Sequence, residues 1–316
     1  MRKLGRLGEV SALTLGGGGL GQLWGPTTRE ECVATVREAV DAGITLLDLA
    51  PSYGDGEAER VIGAAFGGHL PTGVRVTTKC SVGAQPASEV LPLLENSLNA
   101  SLERMGLKSV DIFFLHSQIV PEDAPDNPRA VPYKLFVEAV RPALEELVAR
   151  GVIGAWGITG IGVPETILKA LVSDPAPAAV QAIANVLDSP GGLKRFEGPA
   201  RPREIIAAAA GRDIGVMGIR AVQAGALTDA IDREMPQEHP EMVDYRRAAP
   251  FRELAREVGE SPASLAHRYA LSLEHVSTVV LGVKNREELH ECIDAEAQGP
   301  LDSALMTRVD NAVGRS

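Results

Sequence analysis

Short β-branched or apolar runs alternate with amphipathic stretches along the whole chain, and that alternation restricts the fold more than any other feature. The strand-like runs are SALTL, ITLLDLA, VRVTTKC, SVDIFFLHS, VIGAWGIT, AAVQAIA, DIGVMGI and STVVLGV, eight in all. Helical periodicity follows each one, over residues 29–41, 57–65, 90–105, 135–150, 164–172, 203–210, an irregular region holding 251–258 and 262–271, and 286–295. Such alternation makes the strands parallel, with helices packed outside them. Eight units with no linker or composition break predict an α/β fold, a single (β/α)8 TIM barrel domain spanning residues 1–316, a length that architecture accommodates. The opening MRKLGRLGEV, with Gly5 and Gly8 as turn residues, reads as an N-terminal hairpin plugging the barrel's N-terminal face. Two connections are long: QIVPEDAPDNPRAVPY after the fourth strand and residues 220–249 after the seventh. Long loops after barrel strands lie on the C-terminal face, where active sites sit.

The formal net charge of −11 argues against nucleic acid and anionic membrane as partners, since both are bound by neutralising phosphate. A small-molecule ligand is expected instead. Cys32, Cys80 and Cys292 are too few and too far apart for a disulfide framework or a zinc site, so no metal is expected. The basic N-terminus leads into no uninterrupted apolar segment, and no stretch approaches the length of a membrane span. A soluble cytoplasmic protein is expected.

The run Gly16-Gly17-Gly18-Gly19-Leu20-Gly21 fits the G-x-G-x-x-G pattern of a dinucleotide-binding turn. Such a turn needs a helix starting on the glycines, so that its N-terminus faces the pyrophosphate, and an acidic residue about 20 positions on. Here the helical period begins only near Thr27 and Thr28, after Pro26, and Glu38 and Asp41 fall inside that helix. The favoured reading is a tight turn leaving the first strand where one backbone approaches another group closely.

In a parallel barrel the chemistry comes from the C-terminal ends of the strands. Asp48 ends the second strand, with Tyr53 just beyond it; Lys79 ends the third and His116 the fourth. Singly, each has a packing explanation: Asp48 as a turn cap, Tyr53 as a loop anchor, Lys79 as a structural partner of Asp48, His116 as a satisfied buried histidine. At successive strand ends they are harder to assign to packing, because a lysine buried in a strand has to be neutralised or used.

The segments DLAPSYGDGEAERVIG, VTTKC and VDIFFLHS, in that order, resemble the aldo-keto reductase superfamily, and the resemblance runs from LTLGGGG to VVLGVKNREELHECI. It implies a barrel that holds a nicotinamide dinucleotide in an extended pose without a Rossmann domain. The implied activity is NAD(P)-dependent transfer of hydride between nicotinamide and the carbonyl or alcohol of an aldehyde, ketone or sugar. The chemistry of the four residues agrees. Hydride arriving at a carbonyl carbon leaves charge on oxygen, which needs a proton or a hydrogen bond as it develops. Tyr53 is the expected acid, and the base in the oxidative direction. Lys79 is the cation expected to lower its pKa, Asp48 holds Lys79 charged, and His116 donates to the carbonyl oxygen. Glu57, opening a helix, is explained by the helix dipole alone.

The resemblance also implies cofactor contacts. Gly16, Gly17 and Gly18 match the family's turn beside the nicotinamide, close to Asp48. Thr159-Gly160 stands where the family usually has Ser-Asn, so a hydroxyl contact to the carboxamide is kept and an amide is lost. Gln181 matches the carboxamide-binding glutamine, and Asn185 follows it. Ile219 replaces the aromatic that commonly stacks on the nicotinamide; Arg220 is a candidate for the pyrophosphate or a polar substrate, with Val222 and Gly225 beyond it. Gly282, Lys284, Glu288 and Cys292 fall at the adenosine end. Lys284 and Asn285 favour NADP(H), while Glu288, where the family usually has arginine or glutamine, opposes a 2′-phosphate and leaves NAD(H) usable. Trp24, with Tyr53 and His116, is an expected substrate contact, and Tyr133 and Phe136 are candidate pocket walls. GIRAVQAGAL is more similar to the branch that includes sugar and pyridoxal dehydrogenases than to the aldose reductases. Two other readings stay open, a nucleotide-binding barrel without turnover and a lyase forming a Schiff base on Lys79; the intact quartet argues against the first.

Overall fold

The computed structural model describes residues 1–122, 124 and 126–315, so residues 123 and 125 of the long connection after the fourth strand lie outside the described residues. Eight strands close in chain order into a parallel barrel: β1 (Leu13–Gly16), β2 (Leu46–Asp48), β3 (Arg75–Cys80), β4 (Val110–Leu115), β5 (Ile153–Thr159), β6 (Ala179–Ile183), β7 (Gly215–Ile219) and β8 (Thr278–Leu281). Closure comes from β8 pairing with β1, Val279 opposite Leu13 and Leu281 opposite Leu15. The outer helices are α1 (Arg29–Asp41), α2 (Glu57–Phe66), α3 (Ala87–Met105), α4 (Arg141–Ala149), α5 (Pro164–Leu171), α6 (Pro202–Ala210), α7 (Pro262–Ser272) and α8 (Arg286–Ala297). Helices Pro240–Arg247 and Ala249–Glu257 precede α7, and Ser303–Ala312 follows α8. No helix among the described residues is long and apolar enough to cross a membrane.

Two local features differ from the sequence expectation. The helix expected over residues 135–150 starts at Tyr133 and passes through a π turn at Phe136–Val140 before α4. Pro142 has no N–H to give the preceding turn, and the wider turn accommodates that loss. The glycine run is not a bare turn: Gly17–Leu20 forms one helical turn directly after β1. A Cβ on Gly17 would lie 3.1 Å from Tyr53 and Ala58, and one on Gly19 would lie 1.8 Å from the Val283 carbonyl. The glycines therefore let this turn press between the Tyr53 loop and the end of β8, as the close-approach reading requires.

The expected N-terminal hairpin is present, Arg2–Lys3 pairing antiparallel with Glu9–Val10. Leu4 enters the barrel floor and is fully buried with Val10, Leu46, Ile112, Phe114, Ala179 and Met217. Gly215 makes room for it, since a Cβ there would lie 2.6 Å from the Leu4 side chain. An apolar floor leaves the polar strand ends at the opposite mouth. Leu4→Ala should lower unfolding free energy by about 3 kcal/mol in urea denaturation, the cost of a core cavity; a loss under about 0.5 kcal/mol would contradict a packed plug.

Candidate active site

Strand register brings the predicted residues together. Asp48 lies opposite Gly16 on β1 and Thr77 on β3, so the last inward side chain of β2 meets Thr77 and, two residues on, Lys79. Lys79 is fully buried and donates to Asp48 Oδ2 at 2.8 Å and to the Leu49 carbonyl at 2.7 Å. Asp48 Oδ1 accepts from Thr77 Oγ1 at 2.6 Å and from Gln181 Nε2 at 2.7 Å. The carboxylate is thus held by three side chains from two strands, β3 and β6. Glycine at position 16 is required here, because a Cβ would come within 2.1 Å of the Leu281 carbonyl.

Tyr53 projects over this pair, with Lys79 Nζ 4.8 Å from its ring centroid, and the His116 ring meets it edge-on at 6.0 Å and 86°. Part of Tyr53 remains accessible, as a donor to an incoming molecule must. Burial works against the Lys79 ammonium, yet Asp48 and then Tyr53 outweigh it and its pKa is raised. Lys79 therefore stays charged. Burial also pushes the Tyr53 phenol up, and the Lys79 charge pulls it back only in part. This corrects the expectation of a phenol lowered by Lys79: the cation offsets desolvation without reversing it. Burial, followed by the charges of Lys79 and Arg129, holds His116 down to about 3, so its imidazole is neutral. A Schiff base needs a neutral, reachable amine; a buried, ion-paired ammonium sets that reading aside.

The flanking residues divide into those that face the mouth and those that do not. Gln181 uses its amide nitrogen on Asp48, and its carbonyl oxygen meets no protein donor among the described residues. Thr159 lies opposite Gln181 on the neighbouring strand, its hydroxyl making only long contacts of 3.3 Å to the Leu115 and Ser117 carbonyls. Ile219 ends β7 beside Ile183. Trp24 lies against Gly18 and Gly282, its indole nitrogen 2.6 and 3.3 Å from where their Cβ atoms would stand, and that nitrogen is buried without a partner among the described residues. A donor left unpaired over two glycines, together with the free Gln181 carbonyl at the mouth, fits a polar ligand such as a dinucleotide.

Other expectations are corrected. Arg220 is not free for a pyrophosphate: its guanidinium donates to Gln223 and Glu241, each at 2.8 Å. Asn185 is spent on its own loop, accepting from Leu187 N and Ser189 N and donating to Ser189 O and Gln223. Cys292 points between α7 and α8, its sulfur 3.6 Å from His267, and so lies behind the groove. Phe136 is fully buried outside the barrel wall against Trp156, with Tyr133 tilted on it, so neither ring walls the mouth. Both packed outward because their helix covers β5. Lys284 donates to Asp232 at 2.7 Å and to Glu288, while the Asn285 side chain caps α8 at Glu288 N. Val222 and Gly225 belong to the turn after β7, where Gly225 has φ 92°. Sequence reasoning missed Gln223, Glu241 and Glu59; a carboxylate at position 59 beside the apolar stripe Ala58, Val61, Ile62 was the available signal for the last.

Comparison with known proteins decides the family. The aldo/keto reductase family model matches residues 12–313. The chain belongs to the aldo/keto reductase family. It is therefore an NAD(P)-dependent oxidoreductase built on a (β/α)8 barrel. Among its relatives, L-galactose dehydrogenase of Arabidopsis thaliana is 27% identical over 298 residues, covering 93% of this chain and 87% of that one. D-threo-aldose 1-dehydrogenase of a Pseudomonas species is 26% identical, covering 70% and 68%. An aldo-keto reductase structure from Bacillus halodurans in its holo form superposes with TM-score 0.72 at 20% identity, covering 100% and 97%. A Klebsiella pneumoniae aldo-keto reductase in complex with NADPH gives 0.71 at 19%, covering 100% and 96%.

The buried pair makes a stability prediction for this family member. Asp48→Asn should destabilise by about 3–5 kcal/mol, because it strands a buried ammonium, whereas Asp48→Asn with Lys79→Met should recover most of that loss. Chemical denaturation of both variants checks this; a double variant as unstable as the single would show that the two charges do not depend on each other.

Proposed function

We propose that this chain interconverts the alcohol and carbonyl of a sugar or similarly polar small molecule, with Tyr53 moving the proton. The observation that carries the reading is the fully buried Lys79–Asp48 pair lying under the Tyr53 ring. When bound, a nicotinamide dinucleotide supplies or accepts the hydride. Tyr53, protonated at neutral pH, donates to the substrate oxygen as charge develops there, and Lys79 beneath it stabilises the phenolate left behind. His116, neutral, orients the same oxygen as a hydrogen-bond donor. Gln181 and Thr159 would hold the carboxamide, Gly16 to Gly18 the turn beside it and Ile219 the ring face; Trp24, expected from the sequence as a substrate contact, has its unpaired indole nitrogen over Gly18 and Gly282 and would reach the cofactor as well. The sugar dehydrogenases among the relatives support a polyhydroxylated substrate, as does the small number of aromatic residues, 4% of the chain.

NADP(H) is the favoured cofactor, with NAD(H) as a second. Lys284 is the basic group at the adenosine end, and Glu288 holds part of its charge. Glu288→Gln removes one of the two carboxylates that hold Lys284, Asp232 being the other, and takes a negative charge away from the 2′-phosphate; it should strengthen NADP(H) binding about 5- to 30-fold, a gain of roughly 1–2 kcal/mol, without strengthening NAD(H). Isothermal titration that found both affinities unchanged would remove Glu288 from the ribose subsite.

Tyr53→Phe should keep cofactor affinity and lose turnover by about 100-fold or more. Near-normal turnover would exclude Tyr53 as the acid. The pH dependence follows from the directions of the two shifts. An ordinary histidine gains its proton near pH ~6.5, but His116, held at about 3, stays neutral above that value, so reductive kcat should show no histidine step between about pH 5 and 8. The raised Tyr53 phenol yields phenolate only in alkali, so oxidative kcat should climb there. A histidine-like step in the reductive profile would contradict the neutral imidazole.

A further inference from the structure

Glu59 stands in the first turn of α2, fully buried on the outer side of the barrel wall, and the chemistry above does not use it. Its two carboxylate oxygens are divided between two elements. Oε1 accepts from the Thr78 hydroxyl of β3 at 2.6 Å, and Oε2 accepts from Arg104 Nε of α3 at 2.6 Å. Thr78 immediately precedes Lys79. Side chains alternate across a strand, so Lys79 points inward to Asp48 while Thr78 points outward to Glu59. The stem of Arg104 lies against Gly56, where a Cβ would come within 2.5 Å of Cδ, and Gly56 enters α2 with φ 80°, a conformation that glycine adopts without strain. Gly56 is three residues beyond Tyr53. One carboxylate therefore ties together, from behind the barrel, the loop that carries Tyr53 and the strand that carries Lys79.

We propose that Glu59 is a positioning residue that sets the spacing between the Lys79 ammonium and the Tyr53 phenol. The proposal rests on the assignment of Tyr53 and Lys79 given above. A buried ion pair is a poor source of stability, since apolar side chains of similar volume serve as well or better. What it supplies is direction: two oxygens with defined hydrogen-bond geometry fix two elements where methyl groups would let them slide. The benefit falls on the proton step. The influence of Lys79 on the phenol is Coulombic and declines with distance, and small displacements of a reacting group are costly in rate. The charged groups acting on Tyr53 are Lys79, Asp48 and Arg129, with neutral His116 at its ring edge. Of these, Lys79 is the one carried by the residue next to Thr78.

Thr78→Val removes the donor to Glu59 while preserving shape, and Thr78→Ser restores it. Both are measured in the full-length protein beside Glu59→Gln and Tyr53→Phe. The readouts are kcat, cofactor Kd, and the Tyr53 titration, followed without cofactor as the phenolate absorbance that Tyr53→Phe lacks. Thr78→Val should lower kcat about tenfold or more, move the Tyr53 titration to higher pH, and leave cofactor Kd within about twofold; Thr78→Ser should return all three towards wild type. Should Glu59→Gln fail to fold, the threonine pair still decides. An unchanged Tyr53 titration or unchanged kcat in folded Thr78→Val overturns the proposal, and so does a Thr78→Ser variant as impaired as Thr78→Val. Full activity in Tyr53→Phe overturns the reaction assignment itself, whereas an inactive Tyr53→Phe beside an unmoved Thr78→Val titration rejects the positioning role alone.

Discussion

An ammonium shielded from water keeps its proton only with an anion in reach, and Lys79 meets that condition with Asp48 at 2.8 Å inside the mouth of the barrel. The demand propagates outward. Asp48 needs partners for its second oxygen, which Thr77 and Gln181 supply from β3 and β6. Its strand pairs with β1 at Gly16, and β1 in turn reaches the Leu281 carbonyl of β8 so closely that position 16 has no room for a Cβ. Tyr53 then inherits a fixed cation beneath its ring, in a site where burial alone would leave the phenol too weak an acid. On the proposed reading, stability and proton chemistry rest on the same pair of charges.

The barrel separates two kinds of environment. Its floor is sealed by the hairpin through Leu4 and is mostly apolar, with Thr14 and Thr278 satisfying each other, while the mouth concentrates buried polar and charged groups. The turn after β7 shows how such groups are held. Arg220, Gln223, Ala224 and Gly225 all have φ between 48° and 92°, three of them without glycine's freedom. Hydrogen bonds from Arg220 to Glu241, and from Gln223 to Asp244, over-determine that backbone, as a strained turn beside a ligand groove requires. The residue read from the sequence as a ligand contact, Arg220, is instead the strut of its own loop.

The fold and the convergence of Asp48, Tyr53, Lys79 and His116 at the barrel mouth were legible because each rests on a short-range rule. Period-2 and period-3.6 patterning located all eight strands and their helices, and the strand-end rule singled out Asp48, Lys79 and His116, with Tyr53 just beyond. The cofactor groove was less legible because it depends on which way long side chains turn. Lys284 and Glu288 appear as opposed charges in the sequence but bond each other in the fold. Asn185 matches a family position yet spends its four hydrogen bonds on its own loop and on Gln223. Glu59 drew no reading from the sequence, because its burial with Arg104 depends on the packing of α3 against α2.

The central claim is that Lys79 offsets a phenol that burial would otherwise push higher still. Tyrosine-selective NMR titration of Tyr53 in the wild type and in Lys79→Met with Asp48→Asn tests it directly, because the paired change removes the cation without stranding a charge. Lys79 acts on the phenol more strongly than Asp48 does, so the account predicts that Tyr53 titrates at higher pH in the double variant. A Tyr53 pKa that stayed the same or fell would contradict it.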